Sequence, residues 1–216
     1  MEHEPELLRF TISSIKELGL TVEDSHAEQF MHYLTHLTAW NRTMNLTAIT
    51  DPREIIVKHF VDSLAALAAI DFSQNSVLLD AGSGAGFPGI PLKILRSDLE
   101  VVLVEPIQKK CSFLNSVIGL LKLRKITTFD GTIEQYAKQS FQQGIDAIVL
   151  RALKFEEIKM HISSLLTSRG KVVLYRAEPL KAEEIGRDFQ LVSETNLLLP
   201  QGFGKRFISV IEKVAP

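Results

Sequence analysis

The chain has 216 residues, of which 45% are hydrophobic and 23% are charged, and its formal net charge at pH 7 is −2. These values are typical of a globular protein of about one domain, and they exclude collagen-like, low-complexity and wholly disordered chains. Cys111 is the single cysteine, so an intramolecular disulfide is impossible and we predict no metal site. The acidic amino terminus and the lack of a long apolar run predict a cytoplasmic protein that does not enter a membrane.

Charge is distributed unevenly along this near-neutral chain. Residues 1–30 contain seven acidic and two basic residues, whereas residues 106–129 contain five basic residues and no acid. A basic segment of this kind either contacts RNA phosphates or is the solvated end of a helix, and the charge pattern leaves both interpretations open. The net charge argues against a general nucleic-acid coat protein, which would normally be basic.

The first 70 residues show the apolar spacing of helices. Leucine, isoleucine and aromatic residues recur at helical intervals over residues 7–18 and again over residues 30–40. Asp51-Pro52-Arg53-Glu54 combines an N-cap acid, a first-turn proline and a carboxylate three residues after the cap. This combination predicts a helix that runs toward Ala69.

From residue 76 the pattern changes to short apolar runs separated by helical stretches. Five runs are predicted as strands: Val77–Asp80, Val101–Glu105, Ile126–Phe129, Ala147–Leu150 and Val172–Tyr175. The first two are followed by predicted helices, over Ile90–Arg96 and from Pro106 toward Leu123. Continuous apolar strands that alternate with helices predict a parallel sheet covered on both faces.

The last segment has no helix between its two apolar runs, Leu191–Leu199 and Phe207–Val214. The connection is too short for a parallel crossover, so these runs should form an antiparallel hairpin. The sequence therefore predicts an α/β fold with a seven-stranded, mostly parallel, Rossmann-like sheet that ends in this hairpin. We expect one structural domain, in which a helical extension (residues 1–70) packs on a ligand-binding core (residues 71–216).

The glycine-rich segment Asp80–Gly89, with the sequence DAGSGAGFPG, is the most informative part of the chain. It lies between the first predicted strand and helix, where doubly wound folds bind nucleotide-like ligands. Residues 84–89 fit the dinucleotide pattern G-x-G-x-x-G, and residues 80–86 fit the D-x-G-x-G-x-G of methyltransferases that use S-adenosylmethionine (SAM). The Asp80 carboxylate can fix the loop and face a cationic ligand, but it would repel a diphosphate. Pro88 removes an N–H that a pyrophosphate would use, so SAM is favoured over NAD.

Glu105 ends the second predicted strand, where a carboxylate can accept hydrogen bonds from the ribose of either SAM or NAD. We predict Asp80, Gly84 and Glu105 as cofactor-binding residues. An NAD-dependent oxidoreductase stays open as the alternative, although we find no acid/base group suited to hydride transfer. His59, Asp62 and Ser63 share one helix face, so they do not form the nucleophile–base–orienter line of a hydrolase.

Several motifs together resemble those of the RsmG (GidB) family, the bacterial small-subunit rRNA guanine-N7 methyltransferases. The segment GSGAGFPGIP at residues 82–91 is similar to the family signature. Four further motifs match in order: W-N-x-x-x-N-L-T at 40–47, H-x-x-D-S at 59–63, K-K-x-x-F-L at 109–114 and D-x-x-x-x-R-A at 146–152. The resemblance extends over about residues 28–213.

The resemblance implies a class I SAM-dependent methyltransferase fold and methylation of guanine N7 in the helix-18 loop of 16S rRNA, close to the decoding site. It also implies cofactor contacts from Gly82, Phe87, Ile133, Glu134 and Arg151. Guanine N7 has a free lone pair and no proton at neutral pH, so we expect no catalytic general base. The enzyme would act mainly by aligning N7 with the methyl carbon. A methyltransferase with a non-RNA substrate and a ribosome-binding module without turnover are the remaining alternatives.

The predicted partner is 16S rRNA or the small ribosomal subunit, and we expect a monomer. The predicted RNA contacts are the basic residues Lys109, Lys110, Arg176, Lys205 and Arg206. Lys109 and Lys110 could equally be solvated, and the hairpin residues Lys205 and Arg206 could keep a sheet edge from pairing. The chain departs from the family pattern at Arg176-Ala177, Phe207 and Thr132. Arg151 could pair with Glu156 or Glu157 instead of contacting a ligand.

Overall fold

Two long helices, α1 (Glu4–Glu17) and α2 (Asp24–Met44), begin the computed structural model, which describes residues 4–139 and 144–214. Helix α3 (Pro52–Ile55) follows and begins as predicted, because Asp51 Oδ1 accepts a hydrogen bond from Glu54 N at 2.9 Å. The helix continues to α4 (Asp62–Ala69) and so reaches the residue that the sequence predicted. None of the helices in the described ranges has an apolar stretch long enough to cross a membrane.

A π-helical turn, Ile56–Val61, joins α3 to α4. The sequence predicted a continuous helix here and carried no signal for the wider turn. Such turns shift the side chains that follow and are frequent at functional sites. In this chain the Lys58 carbonyl accepts a hydrogen bond from Arg151 Nη1 at 3.3 Å, while His59 is buried beside the same arginine. A long-range contact therefore supports the irregular turn.

The sheet has seven strands in the order β3-β2-β1-β4-β5-β7-β6, and β7 pairs antiparallel with both of its neighbours. The strands are β1 (Val77–Ala81), β2 (Glu100–Glu105), β3 (Ile126–Asp130), β4 (Ile145–Arg151), β5 (Leu166–Arg176), β6 (Phe189–Leu198) and β7 (Lys205–Lys213). The predicted α/β fold and its terminal hairpin are confirmed. The bounds of the strands differ from the predicted ones mainly at β5, which begins earlier, directly after a helix.

Helices cover both faces of the sheet. They are α5 (Gly89–Leu95), α6 (Gln108–Leu120), α7 (Ile133–Gln139), α8 (Phe155–Leu165) and the short α9 (Ala182–Ile185). Helix α6 begins two residues after Pro106, because Ile107 is still extended. One apolar core joins α2, the π-helical turn and α4 to α5, α6 and the sheet, and a second lies under α7 and α8. The amino-terminal helices thus share a core with the sheet, and the division at residue 70 stays a prediction.

Candidate functional site

The glycine loop turns sharply at the carboxyl end of β1. Gly82, Gly84 and Gly86 have φ values of +74°, +60° and +94°, which glycine adopts without strain and residues with a Cβ rarely do. The N–H groups of Gly82 and Ser83 both donate to Val104 O, at 2.9 and 3.0 Å. The loop is therefore attached to the end of β2, the neighbouring strand.

Asp80 supports this loop from beneath. Its side chain is fully buried, and its Oδ2 accepts a hydrogen bond from Gly89 N at 2.8 Å, which connects the start of the loop to the start of α5. A Cβ at Gly89 would lie 2.8 Å from the same oxygen, so glycine is required there. Burial raises the pKa of Asp80 to about 7, and its Oδ1 has no hydrogen-bond partner among the described residues. The predicted electrostatic contact with a ligand stays a prediction.

Glu105 connects the loops that follow β1 and β2. It is almost fully buried, and its two carboxylate oxygens accept hydrogen bonds from Gly84 N at 2.8 Å and from Ile107 N at 3.0 Å. An ionised carboxylate has about four acceptor positions. Glu105 can thus hold both loops and still accept hydrogen bonds from ribose hydroxyls.

A cleft of about 370 Å³ opens above the glycine loop. Its lining includes Gly82, Gly84, Phe87, Glu105, Lys110 and Arg151, so five of the eight predicted cofactor residues and one predicted RNA contact come together. Asp80 lies below the loop. Ile133 and Glu134 begin α7 outside the lining, and the Glu134 carboxylate pairs with Lys138 at 2.6 Å. The contacts predicted for these two residues stay predictions.

The cleft has open space beside Gly84. A Cβ at Gly84 would meet no atom closer than Gly82 O at 4.0 Å, so it would project into the open space that a ligand needs. A larger cleft of about 870 Å³ lies at the opposite ends of the parallel strands, near residues 70–76 and 167–169. That cleft lacks the glycine loop, Glu105 and Arg151. We therefore place the functional site at the smaller cleft, because nucleotide-like ligands bind at the carboxyl ends of the strands in such sheets.

An aromatic cluster forms the wall next to the loop. The ring of Phe87 stacks on His59 with centroids 4.7 Å apart and on Tyr33 with centroids 5.5 Å apart. The Tyr33 hydroxyl donates to the Ala85 carbonyl, so α2 holds the loop directly. The sequence identified Tyr33 only as part of an apolar helix face, because no local pattern shows which loop a helix residue will contact.

Arg151 connects the end of β4 to the amino-terminal helices. Its Nη1 donates to Asp62 Oδ2 at 3.2 Å, and its Nη2 contacts His59 Nδ1 at 2.7 Å. The fully buried Asp62 also accepts from Arg206 Nε on β7, at 2.6 Å. Arg151 thus pairs with Asp62, and the alternative pairing with Glu156 or Glu157 is wrong. The H-x-x-D-S motif joins three distant segments, although the sequence suggested no role for it.

His59 is neutral in this arrangement. Burial and the neighbouring Arg151 charge lower its pKa to about 3. Arg151 can only donate, so Nδ1 of His59 accepts and Nε2 carries the proton, which it donates to Thr47 Oγ1 at 2.7 Å. Thr47 lines the cleft, and its backbone N and O both bond the Asn41 side-chain amide at 2.9 Å. These hydrogen bonds give a structural role to Asn41 and Thr47, two positions of the W-N-x-x-x-N-L-T motif.

The predicted RNA contacts differ in their surroundings. Lys109 and Lys205 are exposed, and Lys110 is half-buried at the cleft. Arg176 Nη2 donates to both carboxylate oxygens of Glu184 at 2.8 Å, and Arg206 pairs with Asp62, so both arginines have structural partners. The buried Cys111 donates to the Glu105 carbonyl, and burial raises the pKa of its thiol to about 11, which makes it unreactive.

Solved methyltransferase structures share the fold of this chain. TrmN from Thermus thermophilus superposes with a TM-score of 0.56 at 19% identity, over 71% of this chain and 48% of that one. The precorrin-6y C5,15-methyltransferase from Geobacter metallireducens gives a TM-score of 0.53 at 16% identity, over 70% and 87% of the two chains. At such low identity the likeness shows the fold alone, which is that of class I methyltransferases.

Sequence relatives give the family. The sequence profile of GidB, described as rRNA small subunit methyltransferase G, matches residues 26–200. "Ribosomal RNA small subunit methyltransferase G" of Clostridium botulinum strain Loch Maree is 37% identical over 80% of this chain and 73% of its own length. The protein of the same name from Desulfitobacterium hafniense strain Y51 is 38% identical over 85% and 75%. Because the family profile covers most of the chain and these relatives are more than 30% identical, the chain belongs to the GidB family of small-subunit rRNA methyltransferases.

Proposed function

We propose that this protein transfers the methyl group of SAM to N7 of a guanine in the helix-18 loop of 16S rRNA. Family membership supports the reaction class and the RNA substrate. The structural observation that carries the proposal is the cleft in which the left-handed Gly84 and the Glu105 carboxylate meet beside Arg151. Nucleotide-like ligands bind at the carboxyl ends of the strands in sheets of this kind.

Residues of the glycine loop and of the end of β2 would bind different parts of the cofactor. SAM supplies an electrophilic methyl group on a positively charged sulfur. Glu105 would accept hydrogen bonds from the ribose, and Gly84 leaves room for the ligand where a side chain would project. We further propose contacts from Gly82, Phe87, Ile133, Glu134 and Arg151, while Asp80 holds the loop in its conformation.

The reaction needs alignment and no base. Guanine N7 carries a lone pair, so no proton must be removed before it attacks the methyl carbon. His59 has both ring nitrogens engaged, with Arg151 and with Thr47, and therefore does not act as a base in this arrangement. Holding the two reactants in the correct relative orientation can lower a barrier by roughly 7–11 kcal/mol. The hydrogen-bonded glycine loop and the network of Arg151 and Asp62 would provide that orientation.

Methylation of small ribosomal subunits tests the function. Purified protein and SAM are incubated with unmethylated subunits and with bare 16S rRNA, and N7-methylguanine is mapped by borohydride reduction and aniline cleavage. We expect one cleavage site in the helix-18 loop. Because the chain is near neutral overall, we expect subunits to be the better substrate. Methylation at another atom or another loop would contradict the proposal, and equal rates on both substrates would contradict the preference for subunits.

Calorimetric titration distinguishes SAM from the alternative cofactor. S-adenosylhomocysteine should bind in the micromolar range, and NAD should not bind, because Pro88 removes an N–H at the start of α5 that a diphosphate would need. Binding of NAD alone would favour the oxidoreductase.

We propose that three lysines contact RNA phosphates: the exposed Lys109 and Lys205 and the half-buried Lys110. Subunit binding should therefore weaken when each is changed to alanine.

A further inference from the structure

The hydroxyl group of Thr47 has an unusual set of hydrogen-bond partners. Its oxygen accepts from the protonated Nε2 of His59 at 2.7 Å and from Ile49 N at 3.1 Å. A hydroxyl oxygen has two acceptor positions and one donor proton. Both acceptor positions are therefore occupied, and the hydroxyl can make a further hydrogen bond only as a donor.

The direction of these hydrogen bonds is set by residues behind Thr47. Arg151 donates to His59 Nδ1, which places the imidazole proton on Nε2 and aims it at Thr47 Oγ1. The Asn41 amide bonds both the N–H and the carbonyl of Thr47 and so fixes its backbone. The half-buried Thr47 lies in the lining of the cleft, and no described residue accepts its proton. The site thus presents a donor whose direction is set and that has no acceptor among the described residues.

We propose that Thr47 selects guanine by donating a hydrogen bond to O6 of the target base. This inference rests on the proposed function. Guanine carries two acceptors, N7 and O6, side by side on one edge, whereas adenine carries N7 beside an N6 amino donor. A donor that cannot also accept would pair with guanine and oppose adenine. The same hydrogen bond would orient N7, because O6 and N7 share a rigid ring.

Removing O6 and removing the hydroxyl should be coupled. Small subunits are assembled with 16S rRNA that carries either guanine or 2-aminopurine at the target position, since 2-aminopurine keeps N7 and lacks O6. For the wild-type protein, kcat/KM should be about tenfold lower on 2-aminopurine. Thr47→Val should lower kcat/KM on guanine by about tenfold, with no further decrease on 2-aminopurine.

Two variants serve as controls. Thr47→Ser keeps the hydroxyl and should keep the tenfold preference for guanine. Thr43→Val removes a hydroxyl that bonds within α2, to Trp40 O, and should behave like the wild type. Affinity for S-adenosylhomocysteine is measured for every variant, since a hydroxyl that served the cofactor would show its effect there.

Three outcomes would overturn the assignment of Thr47. They are equal wild-type rates on guanine and 2-aminopurine, an unchanged guanine preference in Thr47→Val, and a loss confined to cofactor affinity. The wild-type comparison stays decisive even where Thr47→Val does not fold. If the wild type forms no N7-methylguanine at all, the proposed function itself fails. If it forms N7-methylguanine and ignores O6, only the role of Thr47 fails.

Discussion

Two buried carboxylates, Asp80 and Glu105, act on the same loop in different ways. Glu105 bonds two backbone N–H groups and lines the cleft, whereas Asp80 bonds one and has an oxygen without a partner among the described residues. Burial without full pairing penalises the charged form, which explains the raised pKa of Asp80. Their positions at strand ends predicted both residues as cofactor contacts. The sequence did not distinguish a carboxylate that supports the loop from one that lines the cleft.

Gly84→Ala should separate backbone strain from loss of ligand space. A left-handed alanine costs about 1 kcal/mol of stability, and here its Cβ would also project into the cleft. Gly19→Ala is the matched control, because Gly19 has φ +76° with no atom within 4 Å of the added Cβ. Urea unfolding should show similar losses in both variants, while calorimetry should show at least about tenfold weaker S-adenosylhomocysteine binding for Gly84→Ala only. Equal binding in the two would remove Gly84 from the site.

Asp80→Asn should change how stability depends on pH. The pKa of Asp80 is about 7 in the folded protein and about 3.9 when unfolded, so the folded state binds more protons between these values. This contribution to the unfolding free energy is complete below about pH 4 and is lost as the pH rises to 7. The stability of Asp80→Asn relative to wild type should therefore increase from pH 4.5 to 8, by about 1–4 kcal/mol. Urea unfolding at several pH values measures this difference. If the unfolding free energies of the variant and the wild type changed in parallel with pH, the raised pKa of Asp80 would be refuted.

His59→Gln should show the opposite trend. The pKa of His59 is lowered to about 3, against about 6.5 when unfolded, so its contribution to stability is present above pH 6.5 and is lost as the pH falls toward 3. Relative to the wild type, the variant should gain stability as the pH is lowered from 7 to 4.5. Urea unfolding over this range checks the sign, and a relative loss at low pH would contradict the folded-state pKa.

At the scale of elements, helix α2 positions the glycine loop as much as the sheet does. Its Tyr33 reaches the Ala85 carbonyl and stacks on Phe87, and the π-helical turn Ile56–Val61 brings His59 against the same ring. The glycine loop is therefore held between strands below and helices above. Hydrophobic spacing predicted that these helices exist, but contacts between distant segments decided what they hold.

Tyr33→Phe should loosen the loop and keep the aromatic packing. The change leaves the Ala85 carbonyl without its buried donor, which costs about 1–3 kcal/mol. Tyr175→Phe is the matched control, since that hydroxyl donates to the Ser63 carbonyl on another helix. We expect both variants to lose stability in urea and only Tyr33→Phe to lose S-adenosylhomocysteine affinity. Full affinity in Tyr33→Phe would show that the loop does not depend on α2.

At the scale of the whole molecule, Asp62 joins three segments that are far apart in the chain. Arg151 from β4 and Arg206 from β7 both pair with this fully buried carboxylate of α4. Arg151 lines the cleft, so the network reaches the candidate site. This network connects the amino-terminal helices, the middle of the sheet and the hairpin into one support for the site.

Asp62→Asn should be strongly destabilising. The change removes the fully buried negative charge that pairs with the half-buried Arg151 and Arg206, and breaking a buried ion pair typically costs about 3–5 kcal/mol. Glu157→Gln is the control, because its pair with Lys154 is largely exposed and should contribute less than about 1 kcal/mol. Differences in urea unfolding at pH 7 measure both effects. A loss below about 1 kcal/mol for Asp62→Asn would mean that the network is not a structural support.

The sequence by itself determined the fold class, the family and most of the cleft. The apolar runs predicted the strands, the glycine pattern predicted the loop, and Glu105 was predicted from its place at the end of a strand. Each of these features can be read from a short stretch of neighbouring residues. Only the tertiary structure decided that Asp80 lies beneath the loop, that Arg151 pairs with Asp62 and not with Glu156 or Glu157, and that Thr47 joins the site. These contacts link residues far apart in the chain, and side-chain packing across that distance leaves no periodic pattern in the sequence.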